Sequence, residues 1–193
     1  SGLLERHPDL AMYASAVKTV DAPLLRSVIK VLADCADEQR TETVSRGEQL
    51  RIHKQRFALL WSIADLSGSI DFATLGQLQS EFAARSIDAA LDIALHSQKI
   101  SRLFTRGETL TPQNAGIFIL GLGKLGGHDL NFSSDIDLIA FYDKESLKIA
   151  PMMGASHVVT ECLKFLTKVL SEQTENGFVW RVDWRLRPHA SLR

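Results

Sequence analysis

The sequence predicts an α+β protein: a helical N-terminal region over residues 1–106, then a small mixed sheet with its own helix over 107–193. Three observations lead there. From about Asp21 to Phe104 apolar residues recur at helical spacing, with Pro23 the single proline. Five of the twelve glycines then fall between 116 and 127, just as the polar linker "TRGETLTPQNAG" (105–116) ends. Beyond it the apolar residues alternate with the period of two that a half-buried strand requires.

Each element has its own signal. Asp21-Ala22-Pro23 has the form of a helix start, an acidic N-cap with proline in the first turn, and Leu24, Leu25, Val28, Ile29, Val31 and Leu32 supply its apolar face. Phe57, Leu60, Trp61 and Ile63 mark a second helix, which Leu66-Ser67-Gly68-Ser69 breaks. Ile87, Leu91, Ile93 and Leu95 mark a third. Strands are expected at 116–121, 135–142 and 178–187, and a helix over 153–174 through Val158, Val159, Cys162, Leu163, Leu166, Val169 and Leu170. The order is strand, short loop, strand, helix, strand.

Composition removes several function classes. A chain of 193 residues that is 45% hydrophobic can bury a core in one or two domains. Its 22 Lys+Arg against 23 Asp+Glu leave a net charge of −1, so any phosphate site must be local, and nucleic acid is not an expected partner. Nor is a membrane: no apolar run approaches the ~20 residues of a span. The first 20 residues carry Glu5, Arg6, Asp9 and Lys18 where a signal sequence would be apolar. Cys35 and Cys162 match no metal or redox spacing and read as buried free thiols of a reducing cytoplasm. His7, His53, His96, His128, His157 and His189 show no paired metal spacing, Trp61, Trp180 and Trp184 read as core, and Asp37-Glu38-Gln39-Arg40 as a solvated helix end.

The chemistry concentrates in "IFILGLGKLGGHDLNFSSDIDLIAF" (117–141). Gly121-x-Gly123-x-x-Gly126 after an apolar run spells a dinucleotide-binding fingerprint, but that unit needs a crossover helix and about 30 residues. Only residues 121–134 separate the first two strands, and "HDLNFSS" is poor helix interior. Alternation reads better. Asp135 and Asp137 share one strand face while Ile136, Leu138 and Ala140 take the other. In the last strand Arg181, Asp183, Arg185 and Arg187 share a face opposite Val182, Trp184 and Leu186. Taken singly, a solvated strand edge or a salt-bridge ladder explains each pattern as well. Together with a lysine-bearing glycine turn they form the set for two-metal nucleotidyl transfer, in which paired carboxylates need a cation and hard oxygen donors favour Mg²⁺ or Mn²⁺.

Gly123-Lys124, then Asp135-Ile136-Asp137, then Asp183 resembles the DNA polymerase β-like nucleotidyltransferase superfamily, with lysine where serine is usual. More narrowly, "GLGKLGGHDLNFSSDIDLI" with "GFVWRVDWRLRP" resembles the glutamine synthetase adenylyltransferase/adenylyl-removing family, as does "LRIHKQRFALLWSIADLSG" upstream. Within that family Leu130-Asn131-Phe132 and Gly177-Phe178-Val179 are similar to the N-terminal, AMP-removing half, and "RPHASLR" departs from the glycines that usually follow Arg-Pro. The resemblance implies a piece of a long bifunctional regulatory enzyme of nitrogen metabolism, with a polymerase β-like core. It implies phosphorolysis of a tyrosyl-AMP phosphodiester on glutamine synthetase to give ADP, with Mg²⁺ or Mn²⁺ as cofactor. It also implies ADP or ATP, inorganic phosphate and a PII signal protein as partners. By resemblance Asp135 and Asp137 hold the metals, Asp183 completes the metal site, Gly123, Lys124 and Ser134 contact phosphate, and Arg185 or Arg187 neutralises charge. Ser133 either contacts phosphate too or bonds to backbone as a turn hydroxyl. Two other readings stay open: the adenylylating half or another ATP-using nucleotidyltransferase, and a non-catalytic docking or signal-reading piece.

Overall fold

The computed structural model describes residues 20–32, 45–105, 107 and 109–185. Cys35, the charge run at 37–40, the residues before 20, and Leu186, Arg187 and His189 lie outside them.

Helix α1 (Ala22–Lys30) starts as its sequence requires: the Asp21 carboxylate accepts from Leu24 N at 2.9 Å and Pro23 lies in the first turn. Helix α2 (Arg46–Ser67) is capped by Ser45, with Glu48 three residues on, and ends at Gly68, whose φ of 62° is the left-handed turn that closes a helix. Helix α3 (Phe72–His96), capped by Asp71, is buried on most of its circumference, with Leu75, Leu78, Phe82, Ala83, Ala90 and Leu95 all inaccessible or nearly so. It is the central helix. Phe57 of α2 stacks on Phe82 at 4.3 Å between centroids, and each such ring removed from water contributes about 2–3 kcal/mol. One turn, α4 (Gln98–Ser101), leads toward the sheet.

Strand β1 (Ile117–Gly121) runs into a single helical turn, α5 (Gly123–Gly126), then β2 (Ile136–Tyr142), α6 (Ala155–Ser171) and β3 (Val182–Trp184). The sheet order is β1-β2-β3: β1 pairs antiparallel with β2, and β2 parallel with β3. An antiparallel β1–β2 pair rules out the parallel crossover of a dinucleotide fold. The parallel pair is the one joined through a helix, α6.

Ile117, Ile136 and Leu138 are buried in the same core as Phe82, Leu166 and Leu170. The opposite face of the sheet is open: Phe118 and Leu120 of β1 and Phe141 of β2 are each about half exposed. By alternation Asp137 and Asp183 lie on that open face. Buried Cys162 is a free thiol, and burial pushes its pKa up to about 12. Among the described residues no helix is long and apolar enough to cross a membrane.

Four elements differ in extent from expectation, β1 only by starting at Ile117 rather than 116. The last strand spans three residues rather than 178–187, because Val179 N and Trp180 N both donate to Leu170 O at 2.9 Å. Those donors are spent on the end of α6, not on a strand neighbour. The helix expected over 153–174 is trimmed to Ala155–Ser171, and β2 starts one residue after Asp135.

Candidate active site

The glycine turn is built for close approach. A Cβ at Gly121 would meet the Leu125 side chain at 2.6 Å, and one at Gly126 would meet Gly121 O at 2.6 Å, so α5 packs directly on the end of β1. Gly123 has φ of 53°, and a Cβ there would lie 3.2 Å from Asp137 Oδ2. The turn and the carboxylate are therefore immediate neighbours. Leu122 N donates to Asp137 O at 2.9 Å, which extends the β1–β2 ladder into the turn.

Helices position the loop that follows. Ser80 Oγ accepts from Leu130 N at 3.2 Å, Gln79 Nε2 donates to Phe132 O at 3.3 Å, and the Phe132 ring packs on Trp61 at 5.0 Å. With Leu130 buried, residues 129–134 are fastened to α2 and α3 before the chain enters β2.

Asp137 and Asp183 are register partners across the parallel pair, flanked by Ile136 N to Arg181 O at 3.0 Å and Arg185 N to Leu138 O at 2.8 Å. Arg185 joins them: its Nη2 lies 2.8 Å from Asp137 Oδ1 and 3.3 Å from Asp183 Oδ2, while its Nε donates to Asp137 Oδ1 at 2.9 Å. The Asp137 hydrogen bond, followed by the charges of Asp137 and Asp183, raises the Arg185 pKa. Asp135 is drawn the other way, into an ion pair with Arg181, whose Nη2 also donates to Ser133 O at 3.3 Å. Gly123, Lys124, Ser133 and Asp135 are exposed and Ser134 is half-buried. Arg187 lies outside the described residues.

Asp137, Asp183, Arg185 and Gly123 thus come together, while Asp135, two residues before Asp137, pairs with Arg181 instead. The salt-bridge ladder that the sequence left open is present, and it spans the Asp137–Asp183 pair. All the donors are hard carboxylate oxygens, which suit Mg²⁺ or Mn²⁺. Asp137 and Asp183 already converge on one cationic group, the Arg185 guanidinium. Among the described residues no three acidic, imidazole or thiol groups converge as a metal cage, and Asp135 is paired with Arg181.

A separate cleft of about 220 Å³ opens on the helix side of the glycine turn, lined by Ser80, Ile87, Asp88, Ile119, Leu125 and His128. Partial burial raises the Asp88 carboxyl there. It contains none of the three aspartates.

Lys54 is the residue that sequence reading missed. It lies on the buried stripe of α2 with Leu50, Phe57 and Trp61, and its amino nitrogen sits 3.5 Å from the centroid of the Trp180 ring. That nitrogen is buried with no hydrogen-bond partner among the described residues, and burial lowers its pKa to about 7. A lysine at the spacing of an apolar stripe is the signal that could have found it.

The profile of the glutamate-ammonia ligase adenylyltransferase family matches residues 2–192. The chain belongs to this family. It is 38% identical over 141 residues to the bifunctional glutamine synthetase adenylyltransferase/adenylyl-removing enzyme of Rhizobium meliloti (strain 1021), covering 72% of this chain and 14% of that one. It is 31% identical over 172 residues to the protein of the same name from Mesorhizobium japonicum, covering 87% and 17%. The Rhodopseudomonas palustris (strain BisB5) protein of that name is 29% identical over 188 residues, 97% of this chain and 18% of its own length. The chain therefore spans less than a fifth of these family members.

Proposed function

We propose that the longer protein carrying this sequence removes AMP from an adenylylated tyrosine of glutamine synthetase by metal-dependent phosphorolysis, giving ADP. The pairing of Asp137 with Asp183 beside Gly123, in a chain of this family, carries the reading. Glutamine synthetase enters as substrate because the relatives' names specify it. Leu130-Asn131-Phe132 and Gly177-Phe178-Val179 favour removal of AMP over its addition. A PII signal protein is a further partner under this reading.

Asp137 and Asp183 would hold Mg²⁺ or Mn²⁺, joined by Asp135 once its carboxylate leaves Arg181. Bound there, the ion offsets charge on the phosphoryl group in transfer and on the oxygens that enter and leave. An oxygen of inorganic phosphate bonds to the AMP phosphorus as the bond to the tyrosine oxygen breaks. The proton carried by phosphate ends on the tyrosine oxygen. Phosphate is already a nucleophile, so no strong base is required; the chain must hold two anions in line. Gly123, Lys124 and Ser134 face the incoming phosphate in this reading, and Arg185, once displaced from the carboxylates, remains to neutralise it.

The test is incubation with adenylylated glutamine synthetase and Mg²⁺, with and without phosphate. ADP released only with phosphate supports the proposal. Transfer of AMP from ATP onto unmodified glutamine synthetase, with no phosphate-dependent ADP, assigns the chain to the adenylylating reaction instead. Lys124→Ala should chiefly weaken saturation by phosphate.

A further inference from the structure

We propose that Lys54 is a positioning residue for the third carboxylate: its amino group, seated on the Trp180 ring from α2, aims β3 and with it Asp183. The inference rests on the reading of Asp183 as a site residue.

The need for such a device follows from the sheet. Strand β3 is only three residues long and, among the described residues, pairs on one side only, with β2. Its direction is therefore set largely by the segment that leads into it, residues 172–181. Helix α6 fixes the backbone of that segment, through Trp180 N to Leu170 O at 2.9 Å and Ser171 Oγ to Trp180 O at 2.9 Å. The segment is also held from the other direction, by one polar edge of α2.

Along that edge Arg51 donates to Glu172 O at 3.3 Å and pairs with the Glu172 carboxylate at 3.4 Å. Gln55 Nε2 donates to Asn176 O at 2.8 Å, and the Asn176 amide donates to the Glu48 carboxylate. Lys54 completes the row on the Trp180 ring, which also leans on Phe82 at 6.3 Å. Trp180 immediately precedes Arg181, which holds Asp135, and stands three residues before Asp183. A shift of the indole would carry both with it.

Stability alone does not account for a lysine here. A buried ammonium without hydrogen-bond partners costs folding free energy, and methionine has nearly the same length without the charge. The ring contact is what the cation adds, since a cation over an indole face is held by the ring quadrupole. A residue that weakens the fold while ordering the approach to Asp183 has the character of a positioning group.

Hydrogen exchange on Lys54→Met and Lys54→Arg separates this from packing. The reporters are the Ile136 and Arg185 amides, which bridge β2 and β3, with the Leu91 and Leu95 amides of α3 as reference. At pH 6, where the Lys54 amine is protonated, the two bridging amides should exchange about tenfold faster in Lys54→Met while the α3 amides do not, and Lys54→Arg should restore them. Mn²⁺ affinity should fall several-fold in Lys54→Met and recover in Lys54→Arg. Bridging amides that exchange as in the wild type overturn the proposal. So does faster exchange that arginine fails to restore, which any packing defect would produce. If the wild-type chain binds Mn²⁺ no better than Asp183→Asn, the metal reading fails, and exchange alone still decides the role of Lys54.

Discussion

Alanine at three glycines of this turn should give three different outcomes, because each Cβ would meet something different. At Gly126 the new methyl would lie 2.6 Å from Gly121 O, a backbone atom that can yield only if α5 lifts off β1. Overpacking of this kind costs about 1–3 kcal/mol. At Gly127, with φ of −82°, the nearest atom is Gly123 O at 3.4 Å, an ordinary contact, so alanine should be neutral or stabilise by up to ~1 kcal/mol. Gly123→Ala meets a left-handed φ of 53°, costing about 1–2 kcal/mol, and sets a methyl 3.2 Å from Asp137 Oδ2. Its effect on the carboxylate should exceed its effect on the fold. Urea unfolding reads the first two: with a slope of about 2 kcal/mol per molar, Gly126→Ala should lose roughly 1 M in midpoint and Gly127→Ala none. Mn²⁺ titration reads the third. If Gly126→Ala unfolds within ~0.5 kcal/mol of wild type, or Gly127→Ala is equally damaging, the close packing of this turn on β1 is wrong.

Three further outcomes are expected. Arg185→Gln should raise Mn²⁺ affinity in the absence of nucleotide, since its guanidinium and the ion share Asp137 and Asp183; unchanged or weaker binding in a spin-resonance titration would refute that sharing. Asp137→Asn should abolish the calorimetric heat of Mg²⁺ with ADP, and retained heat would remove Asp137 from the metal site. The folded Lys54 amine sits near 7 against an ordinary 10.5, so its stabilising share is complete above 10.5 and lost as pH falls through 7. Lys54→Met should therefore gain on wild type from pH 10 down to 7 and hold that gain below. The ceiling is about 5 kcal/mol; thermal midpoints across pH with a constant difference would contradict it.

Much of this architecture could be read from local chemistry. Asp21 and Pro23 do open α1, Gly68 does close α2, and the alternation about Asp137 and Asp183 puts both on the open face. These features depend on neighbours in sequence. The length of β3 does not: Leu170, ten residues upstream of Trp180, takes the amides that would have extended it. Asp135 shares a face with Asp137 by alternation, yet its carboxylate answers to Arg181, 46 residues away. The single turn α5 in a stretch poor in helix formers is imposed by its packing on β1, through Gly121, Leu125 and Gly126. The spacing of Lys54 on an apolar stripe marks it, but its partner ring, Trp180, comes from a distant segment that the sequence does not pair with it.

The parallel pairing of β2 with β3 also has a consequence for the order of events in folding. Asp137 faces Asp183 only after the intervening α6 has folded back, and α2 meets the 172–176 turn across a sequence separation of 121 residues. Closure over such distances is slow compared with helix formation. On a ribosome the glycine turn, β1 and β2 emerge before β3 and can pair as a hairpin, while the second carboxylate follows. The nascent chain thus exposes an incomplete pair of carboxylates, and the two-carboxylate arrangement comes into being only with the crossover through α6.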